Sequence, residues 1–348
     1  MEKDYIEINQ KIDEKAILDM RKRIAELQDV GSYPKSYDFP ITLQFELTGQ
    51  CNLACKHCYN RSGDIDRKTI MTPDKWCELS KQIVKSGGIF QCIISGGEPL
   101  LLGNALFDIM DILHDDGTSF VVITNGYLLD KNKVKRFSKY RYFWFQISID
   151  GYEHNIHDRF RGVEGSWERA VNGALEISNA GIPLTIAHSV IPESLPHLEK
   201  MVKLAYSLGA NTVILGEVFP SGRAYENASE ILLNHDQKNY LYKSIQELSS
   251  KYSGIINIKR STSVQVQLKR YSEEVNAGGI IRPNGDFRLD CMAPFVIGNV
   301  TESSIKDIWL SKGKNAWKNP RVVEYINSID SEKQQGNWIN HVDDDIVL

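Results

Sequence analysis

Residues 41–58 read ITLQFELTGQCNLACKHC. The stretch Ile41–Leu47 sets apolar side chains at alternate positions, the period of a strand with one buried face. Thr48-Gly49 ends the strand, and cysteines follow at positions 51, 55 and 58. Beyond them Thr72-Pro73 offers a helix cap and a first-turn proline, and Gly87-Gly88 closes that helix. A strand, a loop carrying reactive side chains and a helix make the opening unit of a parallel α/β sheet.

The unit repeats along the chain. Strand patterns recur at Ile89–Ser95, Ser119–Thr124, Phe143–Ile149, Leu184–Val190 and Thr212–Leu215. Helical patterns near Ala105–His114, Trp167–Ala180 and His197–Leu208 fall between them. Six strands alternating mostly with helices predict α/β architecture with right-handed crossovers. Six are too few for the eightfold barrel, and periodicity does not tell whether the sheet closes; the expectation is a partial (β/α)6 TIM-like barrel. Chemically unusual residues keep falling just behind strands, the end of such sheets where sites are built.

Two further regions flank this core of residues 41–225. Residues 1–40 predict a helix, with Ile17, Met20, Ile24 and Leu27 on one face, followed by a linker holding Gly31, Pro34 and Pro40. Residues 226–348 predict a smaller α+β domain: a helix over His235–Lys251, then β-like segments at Ile255–Lys259 and Val264–Leu268. A hairpin follows, Gly279–Arg282 and Asp286–Asp290 around the turn Pro283-Asn284-Gly285. The acidic run Asp343-Asp344-Asp345 reads as a solvated tail, and the basic run Lys131–Arg141 as a solvated helix face.

Bulk composition narrows the function. The chain is 42% hydrophobic and 25% charged, with a net charge of −4, so neither disorder nor a general attraction to nucleic acid is expected. The amino-terminal residues lack the apolar core of a signal peptide, and no apolar run is long enough to span a bilayer. A cytoplasmic location is expected. Of six cysteines, three crowd into positions 51–58, which in such a compartment suggests metal rather than disulfides. Three thiolates on one short loop suit an iron–sulfur cubane with one iron left open. Zinc is the alternative, but its fourth ligand is missing unless His57 serves. Buried, unrelated cysteines are the remaining alternative.

The spacing C-x3-C-x2-C in CNLACKHCY resembles the defining loop of the radical S-adenosylmethionine (SAM) superfamily, in its SPASM-containing branch. The resemblance implies one 4Fe–4S cluster on Cys51, Cys55 and Cys58, with SAM chelating the open iron and being cleaved to methionine and a 5′-deoxyadenosyl radical. Other motifs follow in order over roughly residues 41–225. Ser95-Gly96-Gly97-Glu98-Pro99 resembles the segment that cradles the methionine amino group, with Glu98 able to accept from an ammonium. Thr124-Asn125-Gly126 resembles the segment near the ribose, and Ser148-Ile149-Asp150-Gly151 a strand end whose polar side chains contact SAM. His157-Asp-Arg-Phe-Arg161-Gly162 with Gly165-Ser166-Trp167 resembles a further family run, in which Arg161 is the candidate partner of the SAM carboxylate. Ile191 falls where an apolar side chain packs on the adenine, and Pro220-Ser-Gly222-Arg223 where the barrel closes.

The carboxy-terminal part resembles a SPASM domain that has lost the cysteines for auxiliary clusters: it keeps Cys291 alone. Cys77 and Cys92, in a predicted helix and strand, read as buried small hydrophobes. Cys291 is either a buried relic or a hydrogen-atom donor to a substrate radical. The resemblance implies hydrogen abstraction from a ribosomally made peptide, ending in epimerisation or a cross-link, with an electron donor such as flavodoxin or ferredoxin. Oxidation or rearrangement of a small metabolite, and a non-catalytic SAM- or cluster-binding sensor, are the other two readings.

Overall fold

The computed structural model describes residues 4–64, 71–329 and 345–348. Strands β1 (Thr42–Glu46), β2 (Gln91–Ser95), β3 (Ser119–Thr124), β4 (Tyr142–Ser148), β5 (Leu184–Val190) and β6 (Thr212–Glu217) lie side by side, parallel and in chain order. Helix α1 (Tyr5–Asp29) precedes them. The crossovers are made by α2 (Pro73–Lys85), α3 (Asn104–Asp115), α4 (Lys131–Phe137), α5 (His154–Arg161), α6 (Ser166–Asn179) and α7 (Leu198–Ser207). The α/β class and the parallel sheet expected from the pattern are therefore present.

The parallel series continues past residue 225. Short helices α8 (Arg223–Glu226) and α9 (Ala228–Ile231) and the long α10 (His235–Lys251) lead to β7 (Asn257–Arg260), which pairs parallel with β6. Helix α11 (Val264–Glu273) follows. Its first turn is the Val264–Leu268 stretch expected as β-like, and that expectation is corrected. Ser263 caps the helix by accepting from Val266 N, and Val264, Leu268 and Tyr271 share one helical face against the core. Burial of that face outweighs the strand preference of two β-branched valines.

On the other side of β1 the sheet continues through β8 (Gly278–Ile281), β9 (Asp286–Asp290), β10 (Ala293–Asn299) and β11 (Ile346–Val347). β8 runs parallel to β1, and β8 and β9 form the expected antiparallel hairpin, Ile281 opposite Phe287. Among the described residues, all eleven strands make a single open sheet with β7 and β11 at its edges. Helices α12 (Ile305–Ser311) and α13 (Pro320–Ser328) pack beside β9 and β10.

One face of the parallel strands is dry. Leu43, Phe45, Ile94, Phe145, Ile186 and Val213 are fully buried under the helices, with Trp76 donating its indole N–H to Leu47 O at 3.1 Å. The opposite face carries half-exposed Gln44, Ile93, Gln146, Ser148, Ala187 and Ser189. That contrast leaves the ends of β1–β6 open to a ligand. Among the described residues no helix is long and apolar enough to cross a membrane. Helix α1 has no fully buried residue; its Ile17, Met20, Ile24 and Leu27 face is half-buried, and Asp13 pairs with Arg260 at 2.6 Å.

The acidic run is not wholly a solvated tail. Asp343 and Asp344 lie outside the described residues, but Asp345 is tucked in, 2.6 Å from Arg282 Nη1 and 3.4 Å from Arg288 Nε. Two buried guanidinium groups draw the carboxylate in, because each needs a counter-charge.

Candidate active site

The cysteine loop leaves β1 and is pinned on three sides. Ala54 N and Lys56 N donate to Arg161 O and Phe160 O at the end of α5. From the start of α8, Arg223 Nε donates to Cys55 O at 2.8 Å and its Nη1 and Nη2 both reach Ser62 O at 3.1 Å. Arg223 N donates to Cys58 O at 3.0 Å. Gly222 makes this approach possible: a Cβ there would sit 2.4 Å from Tyr59 O and 2.6 Å from Cys58 O, and its φ is +56°.

Each sulfur of the trio faces an N–H group. Leu53 N is 3.5 Å and Asn125 Nδ2 3.8 Å from Cys51 Sγ; Ser62 N is 3.3 Å from Cys58 Sγ; Arg161 Nη1 is 3.8 Å from Cys55 Sγ. All are free cysteines. Burial pushes the Cys51 thiol up to about 11 and raises that of Cys55, which Arg161 opposes. A bound cation would turn them into thiolates, and the N–H groups are placed to stabilise that charge. Asn52 Nδ2, His57 Nδ1 and Ser62 Oγ, on the same loop, are buried without a hydrogen-bond partner among the described residues. The loop therefore fits a cluster with a small polar ligand beside it. Among the described residues, no three His, Cys, Asp or Glu side chains converge as a single-ion site requires. A cubane takes one thiolate per iron and does not require it.

Behind Cys55 lies a buried electrostatic knot. Asp150 is fully buried, accepts from Arg161 Nε at 2.8 Å and Nη2 at 2.6 Å, and takes Ser189 N at 2.7 Å. His57 Nε2 lies 3.6 Å away. Although burial opposes it, the Arg161 charge holds the Asp150 carboxyl well below the usual carboxylate range. Burial keeps His57 neutral, down to about 4, and its ring stacks flat on Phe160 at 4.3 Å. The run from His157 to Trp167 builds this arrangement. His157 Nδ1 accepts from Asp150 N at 3.0 Å, while Asp158 caps α6 by accepting from Gly165 N, Ser166 Oγ and Trp167 N.

The residues expected at SAM have these partners within the protein. Arg161, the expected partner of the SAM carboxylate, gives its Nε edge to Asp150 and keeps Nη1 toward the cysteine loop. Asp150 lies behind Arg161, with no exposure. Glu98 is the residue expected to accept from an ammonium. It is fully buried, with Oε1 taken by Thr124 Oγ1 (2.7 Å) and Leu100 N (3.1 Å) and Oε2 by Asn125 N (2.8 Å). A carboxylate in the interior must satisfy its oxygens locally, so Glu98 ties the loop behind β2 to the loop behind β3. Gly97 instead lets the same loop press on the loop behind β1, since a Cβ there would meet Gln50 O at 2.0 Å. Pro99 opens the short 3-10 turn Pro99–Leu102.

Asn125 does reach the loop, donating to Asn52 Oδ1 at 2.9 Å. Ser148 ends β4 on the open face, and Gly96 sits beside Thr48, against the start of the cysteine loop. Ile191 is buried in a small cluster with Phe160, Val218, Ala224 and Ile231. Cys92 is a buried core residue and Cys77 is half-buried on α2. His57 and Arg223 carry more of the site than their sequence context suggested. Arg223 clasps Cys55 from 168 residues away, a separation no local pattern bridges.

Residues 45–205 match the family model for the Radical SAM superfamily. The chain carries a radical SAM domain. Radical SAM domains use a 4Fe–4S cluster and SAM, and the cysteine loop described above is where this one would hold them. An AdoMet-dependent heme synthase of Methanosarcina barkeri is 26% identical over 288 residues, 78% of this chain and 82% of that protein. The antilisterial bacteriocin subtilosin biosynthesis protein AlbA of Bacillus subtilis is 25% identical over 313 residues, 88% and 68% of the two chains. Streptococcus suis SuiB, solved with S-adenosylmethionine, shares the fold: TM-score 0.67 at 16% identity, covering 93% of this radical SAM chain and 81% of SuiB.

Beside the cysteine loop is a cavity of about 360 Å³. It is walled by α1 through Ile6 and Asp13, by Glu217 at the end of β6, by Arg260 at the end of β7, and by Tyr59 and Cys291. Tyr59 is the residue after Cys58, so the cysteine loop and Cys291 border one space. Burial and the neighbouring Asp290 carboxylate keep the Cys291 thiol protonated.

Proposed function

We propose that this radical SAM enzyme removes a hydrogen atom from a carbon of a ribosomally made peptide lodged in the Tyr59–Cys291 cavity. A cluster on Cys51, Cys55 and Cys58, with SAM, supplies the radical. The observation that carries the reading is the shared cavity: its wall includes both the residue after Cys58 and an uncharged thiol. Relatives support a peptide, since AlbA is named for bacteriocin biosynthesis and SuiB has been solved with the precursor peptide SuiA.

Cys291 makes epimerisation the reading to test first. A substrate carbon radical takes hydrogen from Cys291: the S–H bond breaks, a C–H bond forms on the opposite face, and sulfur is left one electron short. One electron from a flavodoxin- or ferredoxin-type donor and one proton from water restore the thiol. The cluster loop needs Arg161 Nη1 and the backbone N–H groups for charge, and Arg223 for position. The region around β8–β10 serves as a SPASM-like scaffold, with Cys291 the cysteine it keeps.

The test is turnover in deuterium oxide with reductant, SAM and a short peptide encoded beside the gene. Expected products are 5′-deoxyadenosine and a peptide heavier by one deuterium at an inverted centre. Cys291→Ala should keep deoxyadenosine formation and abolish the epimer; an unchanged epimer would eliminate the thiol donor. Unaltered peptides alongside oxidation of a tetrapyrrole would favour the second reading, a small metabolite. The heme synthase match and a cavity within the usual range for small ligands are what recommend it.

A further inference from the structure

A chain of buried charges connects Asp345 to the cavity wall. Asp345 Oδ2 lies 2.6 Å from Arg282 Nη1 and Oδ1 lies 3.4 Å from Arg288 Nε. Arg282 Nε stands 3.5 Å from Glu46 Oε2 on β1, and its Nη2 reaches Asn60 Oδ1 at 3.5 Å. Glu46 Oε1 accepts the Tyr59 hydroxyl at 2.9 Å. Glu46, Arg282 and Arg288 are each 3% exposed, so none of them is neutralised by water. Glu46 and Asp345 face the two guanidinium groups at these distances, with the buried Asp290 also acting on Arg288, and removing Asp345 takes away the one carboxylate among the described residues that both arginines share.

The segment that brings Asp345 there is held by backbone as well. β11 pairs with β10, Leu348 N donates to Val296 O at 2.9 Å, and Arg321 Nη1 donates to Val347 O at 3.0 Å. The carboxylate thus sits on the residue immediately before β11 and is held beside the sheet. Its influence passes through two side chains, Arg282 and Glu46, to a tyrosine that borders the cavity and follows a cluster cysteine.

We propose that Asp345 is a positioning residue for the substrate cavity: by neutralising Arg288 and Arg282 it leaves Glu46 free to fix the Tyr59 hydroxyl, and so the Tyr59 ring, against the substrate. This rests on the assignment of the Tyr59–Cys291 cavity to the substrate. Without Asp345, Arg282 and Arg288 compete for Glu46, and the Tyr59 hydroxyl loses its acceptor.

The experiment uses cluster-loaded enzyme labelled with 3-fluorotyrosine, with the Tyr59 fluorine resonance identified by its loss in Tyr59→Phe. In Asp345→Asn that resonance should shift by more than its linewidth, while iron per chain stays at the wild-type value. Peptide turnover should fall about tenfold or more through KM and kcat together, as expected for a misplaced wall. Asp345→Glu should restore both readouts, and so should Asp345→Asn combined with Arg288→Met, which removes the orphaned charge. A Tyr59 resonance unmoved in Asp345→Asn, with only a lower melting temperature, would overturn the proposal and leave Asp345 a stabilising residue. If Asp345→Asn does not fold, the double variant must fold with Tyr59 at its wild-type resonance, or the proposal fails. A moved resonance with unchanged turnover would instead sink the assignment of this cavity to substrate.

Discussion

Two arginine clusters are buried in this sheet, and they are built differently. Behind β4, Arg161 gives its Nε edge to Asp150 and turns Nη1 toward Cys55 Sγ. Beside β8 and β9, Arg282 and Arg288 spend their charge on Glu46 and Asp345, within the protein. In the first, Asp150 balances Arg161, and one arm of the guanidinium is still aimed at a cysteine sulfur. In the second, Glu46 and Asp345 face Arg282 and Arg288. The clusters differ in where the guanidinium arms point and not in net charge, although both bury the same functional groups.

The largest effect that would break this comparison is loss of the sulfurs. Cys51→Ala, Cys55→Ala and Cys58→Ala together should remove the brown chromophore and all SAM cleavage, while the wild-type chain carries about four irons. Undiminished colour in the triple variant, or close to eight irons in wild type, would contradict the single-cluster site.

Next come the arginine pairs themselves. Asp150→Asn or Asp345→Asn alone should each cost about 3–5 kcal/mol in denaturant unfolding, because each leaves a guanidinium buried without its counter-charge. Replacing both partners sharpens the contrast. Asp150→Leu with Arg161→Met should recover most of that stability yet leave SAM cleavage abolished, whereas Asp345→Asn with Arg288→Met should recover both. Equal activity in the two double variants would erase the distinction between the clusters.

A smaller effect is expected at Gly222. Gly222→Ala forces a side chain against two carbonyls at positive φ and should cost about 1–2 kcal/mol. Iron retained per chain should fall with it, measured after desalting; full iron retention would mean that Arg223 does not set the loop. The smallest effects belong to the other cysteines. Cys77→Ser, half-buried on α2, should change stability by less than about 0.5 kcal/mol, and Cys92→Ala by about 1 kcal/mol, with iron content unchanged in both.

Much of the fold was legible because it is written locally. The helix His235–Lys251, the strands Ser119–Thr124 and Leu184–Val190, and the hairpin at Pro283-Asn284-Gly285 follow from periodicity and turn chemistry within a few residues. α11 was misread because Val264 and Val266 alternate like a strand, and only the buried face completed by Leu268 and Tyr271 reveals a helix. At the site, the cysteine spacing announced its chemistry, while the protein partners of Glu98 and Asp150 could not be read from motif order: both are completely buried and bond groups on neighbouring loops and strands.

The sequence by itself determined the parallel series, the trio of sulfurs and the absence of a fourth beside it, since spacing and alternation are properties of neighbouring residues. Tertiary structure alone decided that Arg223 clasps Cys55, that Tyr59 and Cys291 face one cavity, and that Asp345 is buried against two arginines. These pairs are far apart in the chain. What joins them is the need of each buried charge and donor for a partner within a few ångströms, which is met only once the sheet has brought distant strands side by side.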